Sequence, residues 1–258
     1  MKFVICTALL FGFATFASAK PRVVGGEEAI PHEFPYMVSL QWQGQHFCGG
    51  AILSEEWILT AAHCVKIFDK DTEVVAGAHS LSQPDEFEQR RNHSKIIEHE
   101  AYLGGVNPHD IALVRLSEPF VFNEQVSKLN LTHTEPHYPT GQATICGWGS
   151  MSNTLNPINP DKLMKASLTL MDSEQCFARY PEEPMHESNI CAGEEDGSKA
   201  ICSGDSGSPL VQKNADGEFV LYGVTSWTWI PCGTPGKTGV FVNVTHYLQW
   251  ILDGMKSK

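Results

Sequence analysis

Between residues 35 and 245 apolar residues come in short runs, and none of them sustains a helical period. YMVSLQW (36–42), GAILS (50–54), EVVAGAH (73–79), SKIIEH (94–99), IALVRL (111–116), GQATICGWG (141–149), KASLTL (165–170), EFVLYGVTSW (218–227) and GVFVNV (239–244) are bounded by Gly, Pro, Asn and Asp. Val, Ile, Tyr, Phe and Trp fit a pleated, half-buried surface, and turn residues at this spacing leave no room for long helices, which predicts an antiparallel all-β architecture. The best helical pattern is the tail VTHYLQWILDGMK, expected as a C-terminal helix over about 245–256, with Thr245 available as its cap and Tyr247, Trp250 and Ile251 at helical spacing. With 258 residues and 42% hydrophobic content the chain can bury a substantial core. No internal repeat or low-complexity tract is visible, and the loose segment Pro119 to Pro139 is suited to joining two halves.

The start, MKFVICTALLFGFATFASA, has a basic residue at Lys2, an apolar run and a small-x-small pattern at Ala17 to Ala19. It reads as a secretory signal over residues 1–19, its apolar run shorter than the roughly 20 residues a spanning helix needs. The mature protein is therefore expected to be secreted and extracellular. Removing residues 1–22 takes out Lys2, Lys20 and Arg22 and no acidic residue, so the formal charge moves from −12 to −15. Nucleic acid and anionic lipid are bound chiefly through clustered Lys and Arg, so neither is an expected partner. Export places the seven cysteines that remain after Cys6 in an oxidising compartment, where disulfides persist and an odd number leaves one over.

Three separated islands carry chemistry: TAAHC (60–64), HDIALV (109–114) and GDSGSP (204–209). A serine hydroxyl is a weak nucleophile at neutral pH. It needs a base within hydrogen-bond reach, and the base needs a third group to fix its tautomer. His63, Asp110 and Ser206 supply those types. Taken singly, each island has an ordinary reading as a surface histidine, a turn aspartate or a glycine loop. The nucleophile elbow of lipases and esterases, G-x-S-x-G with Asp and then His following, does not fit, because Ser208 stands where the last glycine would be and the triad order is reversed.

Together with RVVGG at 22–26, FCGGAILSEEWILTAAHC, DIALVRL, GWG, CAG, CSGDSGSPL and VTSW, these islands make nearly the whole mature chain resemble the chymotrypsin family of serine endopeptidases. The resemblance implies two six-stranded antiparallel Greek-key β-barrels (about 28–120 and 130–244) packed side by side, with the site between them. It implies His63 as general base and acid, Asp110 as its orienting carboxylate, Ser206 as nucleophile, and the N–H groups of Gly204 and Ser206 as oxyanion hole. Activation would follow a cut after Arg22 by a trypsin-like protease, releasing a propeptide of residues 20–22. The new Val23 ammonium would then pair with Asp205. Ser208 departs from the family's commoner GDSGGP, a change a tight turn can tolerate.

By the same resemblance the substrate pocket has Ala200 at its base, followed by Ile201, with Thr228 adding a branched side chain on one wall and Gly239 leaving the other open, and Ser226 and Trp227 pairing with extended substrate as an added strand. No carboxylate occurs in GSKAICSG or in SWTWIPCGTPGKTGVFVNV, so cleavage after Leu, Val, Met, Ala or Phe is expected rather than after Arg or Lys. The expected partners are protein or peptide substrates and protein inhibitors, on a monomer without a cofactor. A digestive role is the expectation, beside a silent homologue that binds through the cleft or a narrow-specificity processing protease. The family pattern pairs Cys48 with Cys64, Cys176 with Cys191 and Cys202 with Cys232, leaving Cys146. Asn92, Asn130 and Asn243 open sequons, the last doubtful because it ends a strand. Some relatives bind calcium after the equivalent of Gly77, but Ala78 stands where a first carboxylate is expected, so no metal is expected despite Asp85, Glu86 and Glu88 nearby.

Overall fold

The computed structural model describes residues 23–131 and 138–257. The signal at 1–19, the propeptide with Arg22, and residues 132–137 of the joining segment lie outside the described residues.

The first half builds a closed antiparallel barrel. After β1 (Glu27–Glu28), the chain forms β2 (Met37–Trp42) and β3 (Gln45–Ile52), joined by Gln43 and Gly44 with φ of 49° and 77°. Two left-handed residues in a two-residue loop match the right-handed twist of the flanking strands. β4 (Trp57–Thr60), β5 (Thr72–Ala76), β6 (Gln89–Glu98) and β7 (Ala112–Leu116) complete the ring in the order β2-β3-β4-β7-β6-β5, and β5 pairs back to β2 from Thr72 to Ala76. Val38, Leu40, Ile52, Ile58, Val74 and Leu113 are fully buried in its interior.

The second half forms an eight-stranded sheet: β1, β8 (Asn130–Leu131), β9 (Gln142–Gly147), β10 (Met164–Thr169), β11 (Asn189–Ala192), β12 (Pro209–Lys213), β13 (Phe219–Trp227) and β14 (Gly239–Asn243). Six of these run β10-β9-β12-β13-β14-β11, the antiparallel set that the sequence leads one to expect. Among the described residues the ring is closed only by a single bridge between Leu170 and Ala192, whereas the first barrel closes through a full ladder. β1 adds to the edge by pairing with Met164 and Lys165, so Glu27 and Glu28 serve the second sheet before the first barrel begins. Its own core holds Ile145, Leu168, Ile190, Ile201, Leu210 and Phe241, while Trp148, Val211 and Leu221 extend the first barrel's core across the boundary.

The tail turns as expected, with a different cap. Asn243 ends β14 in an extended conformation, so its Oδ1 overlies the next turn and accepts from Thr245 N at 3.2 Å and from Thr245 Oγ1 at 2.6 Å. The cap is therefore Asn243 rather than Thr245, and the sequon asparagine is buried, while Asn92 and Asn130 are exposed. A 3-10 turn (Val244–Tyr247) leads into α3 (Leu248–Met255; α1 and α2 are Ala62–Val65 and Ser173–Arg179). α3 lies back on the first barrel so closely that a Cβ on Gly254 would sit 2.6 Å from Leu113 Cδ1.

Cys48–Cys64, Cys176–Cys191 and Cys202–Cys232 are bonded, and Cys146 is free and buried. Among the described residues no helix is long and apolar enough to cross a membrane. Leu113 is caught between barrel and helix, so Leu113→Ala is expected to cost about 2–5 kcal/mol, measured as a lower urea midpoint at unchanged slope.

Candidate active site

His63 is presented by the single turn α1, which the Cys48–Cys64 bridge ties to β3. Its imidazole is about one-third exposed and faces Asp110, which is 1% exposed. Asp110 Oδ1 accepts the His63 backbone N–H at 2.8 Å, and Oδ2 lies 2.7 Å from His63 Nδ1. A carboxylate only accepts, so Nδ1 carries the proton and the neutral ring keeps a lone pair on Nε2. Oδ2 also accepts Ser226 Oγ at 2.6 Å.

That third donor comes from the second barrel and was not foreseen. The register of β13 against β14 shifts between Thr225 and Trp227, leaving Ser226 as an extra residue. A bulge of this kind re-aims one side chain, and here it turns the Ser226 hydroxyl onto Asp110.

The loop Gly204–Ser208 is stitched to both barrels. The Ser206 carbonyl accepts Gly49 N at 2.7 Å, Gly207 N donates to Thr225 O at 2.8 Å, and Thr225 N returns a bond to Ser208 O at 2.9 Å. Gly204 and Gly207 have φ of 97° and 77°, conformations L side chains rarely adopt, and a Cβ on Gly207 would collide with Thr60 Oγ1 and the Gly49 carbonyl. These contacts set the half-buried Ser206 beside the strand end that leads into His63. Among the described residues His63 Nε2 lies 3.7 Å from Cys64 Sγ and makes no hydrogen bond to Ser206 Oγ. Catalytic hydrogen bonds are commonly long without substrate and tighten when it binds.

Asp205 points away from Ser206 and is fully buried. Its carboxylate accepts Gly149 N and Cys202 N, each at 2.9 Å, and burial pushes its pKa up to about 6 against those two bonds. Val24, next to the expected new terminus, packs with Ala200, Cys202 and Cys232 and accepts Ala200 N at 3.2 Å. His46, which the sequence reading passed over, sits behind the loop: Nε2 is 3.0 Å from Gly204 O, Nδ1 is 2.8 Å from Ser39 Oγ, and burial lowers its pKa to about 4. The neutral ring thus donates to the Gly204 carbonyl and accepts from Ser39.

At the expected pocket Ala200 and Ile201 are both 1% exposed, and Thr228 is half-buried. Gly239 does not leave an open wall, as its lack of a side chain suggests: a Cβ there would lie 2.6 Å from Ile201 Cγ1, so the Ile201 side chain occupies that space. Trp227 and the half-buried Trp229 pack on Tyr180, with Lys237 Nζ 4.2 Å from the Trp229 ring centre. The acidic residues after Gly77 do not converge: Glu88 pairs with Arg90 at 2.6 Å and Asp85 with His32 at 3.4 Å. Cys48, His63 and Cys64 are close enough to hold a metal, but both sulfurs are spent in their disulfide.

Ser226→Ala removes one of three donors from a buried carboxylate. It is expected to lower stability at pH 7 by about 1.5–3 kcal/mol in urea unfolding.

The trypsin family matches residues 23–251 of the chain. Lectizyme of Glossina austeni is 35% identical over 271 residues, covering 99% of this chain and 96% of that protein. Trypsin-1 of Astacus astacus is 36% identical over 89% of this chain and 98% of its own length, and coagulation factor IX of Cavia porcellus is 36% identical over 89% and 80%. Among solved structures, neuropsin, a serine protease expressed in the limbic system of mouse brain, superposes with a TM-score of 0.78 at 33% identity, over 90% of this chain and 99% of that one. With the residue types of a hydrolytic triad on two β-barrels and this extent of likeness, the chain belongs to the trypsin family of serine proteases.

Proposed function

We propose that the protein is a secreted endopeptidase, made as a zymogen, that cleaves after apolar residues through an acyl-enzyme on Ser206. The observation that carries the reading is the His63–Asp110 pair. By holding the proton on Nδ1, Asp110 leaves Nε2 free to take the Ser206 Oγ proton as that oxygen attacks a peptide carbonyl. The carbonyl oxygen gains its negative charge against the N–H groups of Gly204 and Ser206. The tetrahedral adduct collapses as His63 returns the proton to the leaving amine. Water then repeats the sequence on the ester, giving the acid and restoring Ser206.

Asp205 supplies the reason for a zymogen. In the uncut chain its carboxylate is buried with no cation among the described residues. A raised folded pKa of about 6 means that folded-state stability falls as pH rises through 6, so at neutral pH the ionised group is a cost. Cutting after Arg22 creates an ammonium on Val23, one residue before the Val24 that already packs beside Cys202. Pairing it with Asp205 would offset that cost, and a buried pair once formed is worth about 3–5 kcal/mol against loss of one partner.

Cleavage after apolar residues rests on Ala200 and on the Ile201 side chain lying over Gly239, which together offer no charge to an Arg or Lys side chain. Each methylene discriminates by only about 1–3 kcal/mol, so the preference among Leu, Val, Met, Ala and Phe is graded. A short propeptide, removed by a trypsin-like activator, suits a digestive enzyme.

Treatment with trypsin should activate the wild type and leave Arg22→Gln inactive; full activity in the uncut variant would overturn the switch. The activated protein should react with a fluorophosphonate, and Ser206→Ala should lose both labelling and turnover, the latter by roughly the 10⁶ by which other serine proteases depend on their triads. Profiling a peptide library should return apolar residues before the cut, and cleavage after Arg or Lys would refute the pocket assignment.

A further inference from the structure

Four histidines gather where the two barrels meet behind Asp110. His99 and His109 stack with ring centres 4.9 Å apart and planes 9° from parallel, His186 is 4.9 Å from His109, and His246 is 5.8 Å from His186. Tyr247 touches three of these rings, and Trp250 covers His99.

The hydrogen bonds through this cluster admit one proton arrangement. His186 Nδ1 accepts the backbone N–H of Ser188 at 3.1 Å, so its lone pair faces Ser188 and the 2.8 Å contact to Ser188 Oγ is donated by the hydroxyl. With its proton spent, Ser188 Oγ accepts from the Tyr247 hydroxyl at 2.8 Å. Tyr247 then has no proton left, so its 2.6 Å contact with His109 is donated by Nδ1–H. Every member has a single proton to give, so each bond dictates the direction of the next.

His109 immediately precedes Asp110 and has φ of 67°, a left-handed backbone uncommon for a residue with a Cβ. Its carbonyl accepts Ile111 N at 2.8 Å, which puts Asp110 at the apex of a three-residue turn. A turn entered through a strained residue keeps its shape only when the surroundings fix that residue. The imidazole of His109 is the handle by which they do so. Burial first, and then the neighbouring His99, His186 and His246, hold His109 below its ordinary pKa, so the neutral ring is the form at neutral pH.

We propose that His109 is a positioning residue for Asp110, anchored by a one-directional hydrogen-bond chain through Tyr247 and Ser188 to His186 in the second barrel. The inference rests on the endopeptidase reading for its kinetic arm only. Tyr247→Phe keeps the ring among the histidines and deletes the hydroxyl on which the chain turns.

In activated protein normalised by fluorophosphonate titration, Tyr247→Phe is expected to lower kcat about five- to tenfold with KM within about twofold, the size of one lost hydrogen bond acting through geometry. His109→Leu should lose at least as much. His109→Asn should recover most of that loss, because Asn tolerates the left-handed backbone and its amide can donate to Tyr247. The proton between His63 Nδ1 and Asp110, followed by NMR, should be sharp in wild type and broadened in Tyr247→Phe. Wild-type kcat in both Tyr247→Phe and His109→Leu, or an unchanged proton signal in either, overturns the proposal. The NMR arm needs no turnover, so an inactive wild type would sink the endopeptidase reading alone and leave this one to be decided by the signal.

Discussion

Asp110 is a carboxylate taken almost wholly out of water, and much of the site follows from how its two oxygens are satisfied. A buried ionised carboxylate without partners would neutralise or unfold its surroundings. The donors come from α1, which carries His63, and from the bulge in β13, which carries Ser226. One lies in the first barrel and the other in the second, so the group that fixes the His63 tautomer is properly solvated only when the barrels are docked.

The glycines of the Ser206 loop answer a steric demand of the same docking. Gly207 approaches Thr60 and the Gly49 carbonyl too closely for any side chain, and its left-handed backbone turns the loop from β12 towards the first barrel. Ser208 occupies the next position without strain of this kind, but its Oγ is buried without a partner among the described residues, in space left by Gly49. Serine at this position thus keeps the turn while its hydroxyl finds no partner among the described residues.

Types of residue and their order were legible before any coordinates: the strands, the island containing His63, and the absence of a carboxylate near Ala200 follow from patterns local to a few residues, while the three cysteine pairs followed from the resemblance to a known family. What was not legible depends on contacts between distant segments. Ser226 reads as the end of a strand, and only a bulge assigns its hydroxyl to Asp110. Asn243 and Thr245 are both capping residues by type, and the choice between them is made by the extended backbone at the end of β14. Gly239 reads as an empty wall until Ile201, far off in sequence, is seen filling it. His46, His99, His109 and His186 are scattered single histidines in the sequence, and nothing in their spacing announces that they meet in space.

Protonation ties the back of the site together in a way that neither group shows alone. His46 has its folded pKa depressed to about 4, so as pH falls from about 6.5 the unfolded chain binds a proton that the folded one refuses, and stability declines. Asp205 has its folded pKa raised to about 6, so over much the same interval the folded chain takes up a proton that the unfolded one refuses, and stability rises. Each shift corresponds to about 3 kcal/mol, and the two oppose each other between about pH 4 and 6. Both groups bear on the same loop, His46 through the Gly204 carbonyl and Asp205 as its neighbour. A cation brought to Asp205 would keep it ionised and remove one side of this balance, leaving the depressed imidazole of His46 unopposed as the acid is added. If the proposed cut after Arg22 brings such a cation, the uncut form would be the more acid-tolerant of the two, because it buries one base and one acid of opposite tendency behind a single turn.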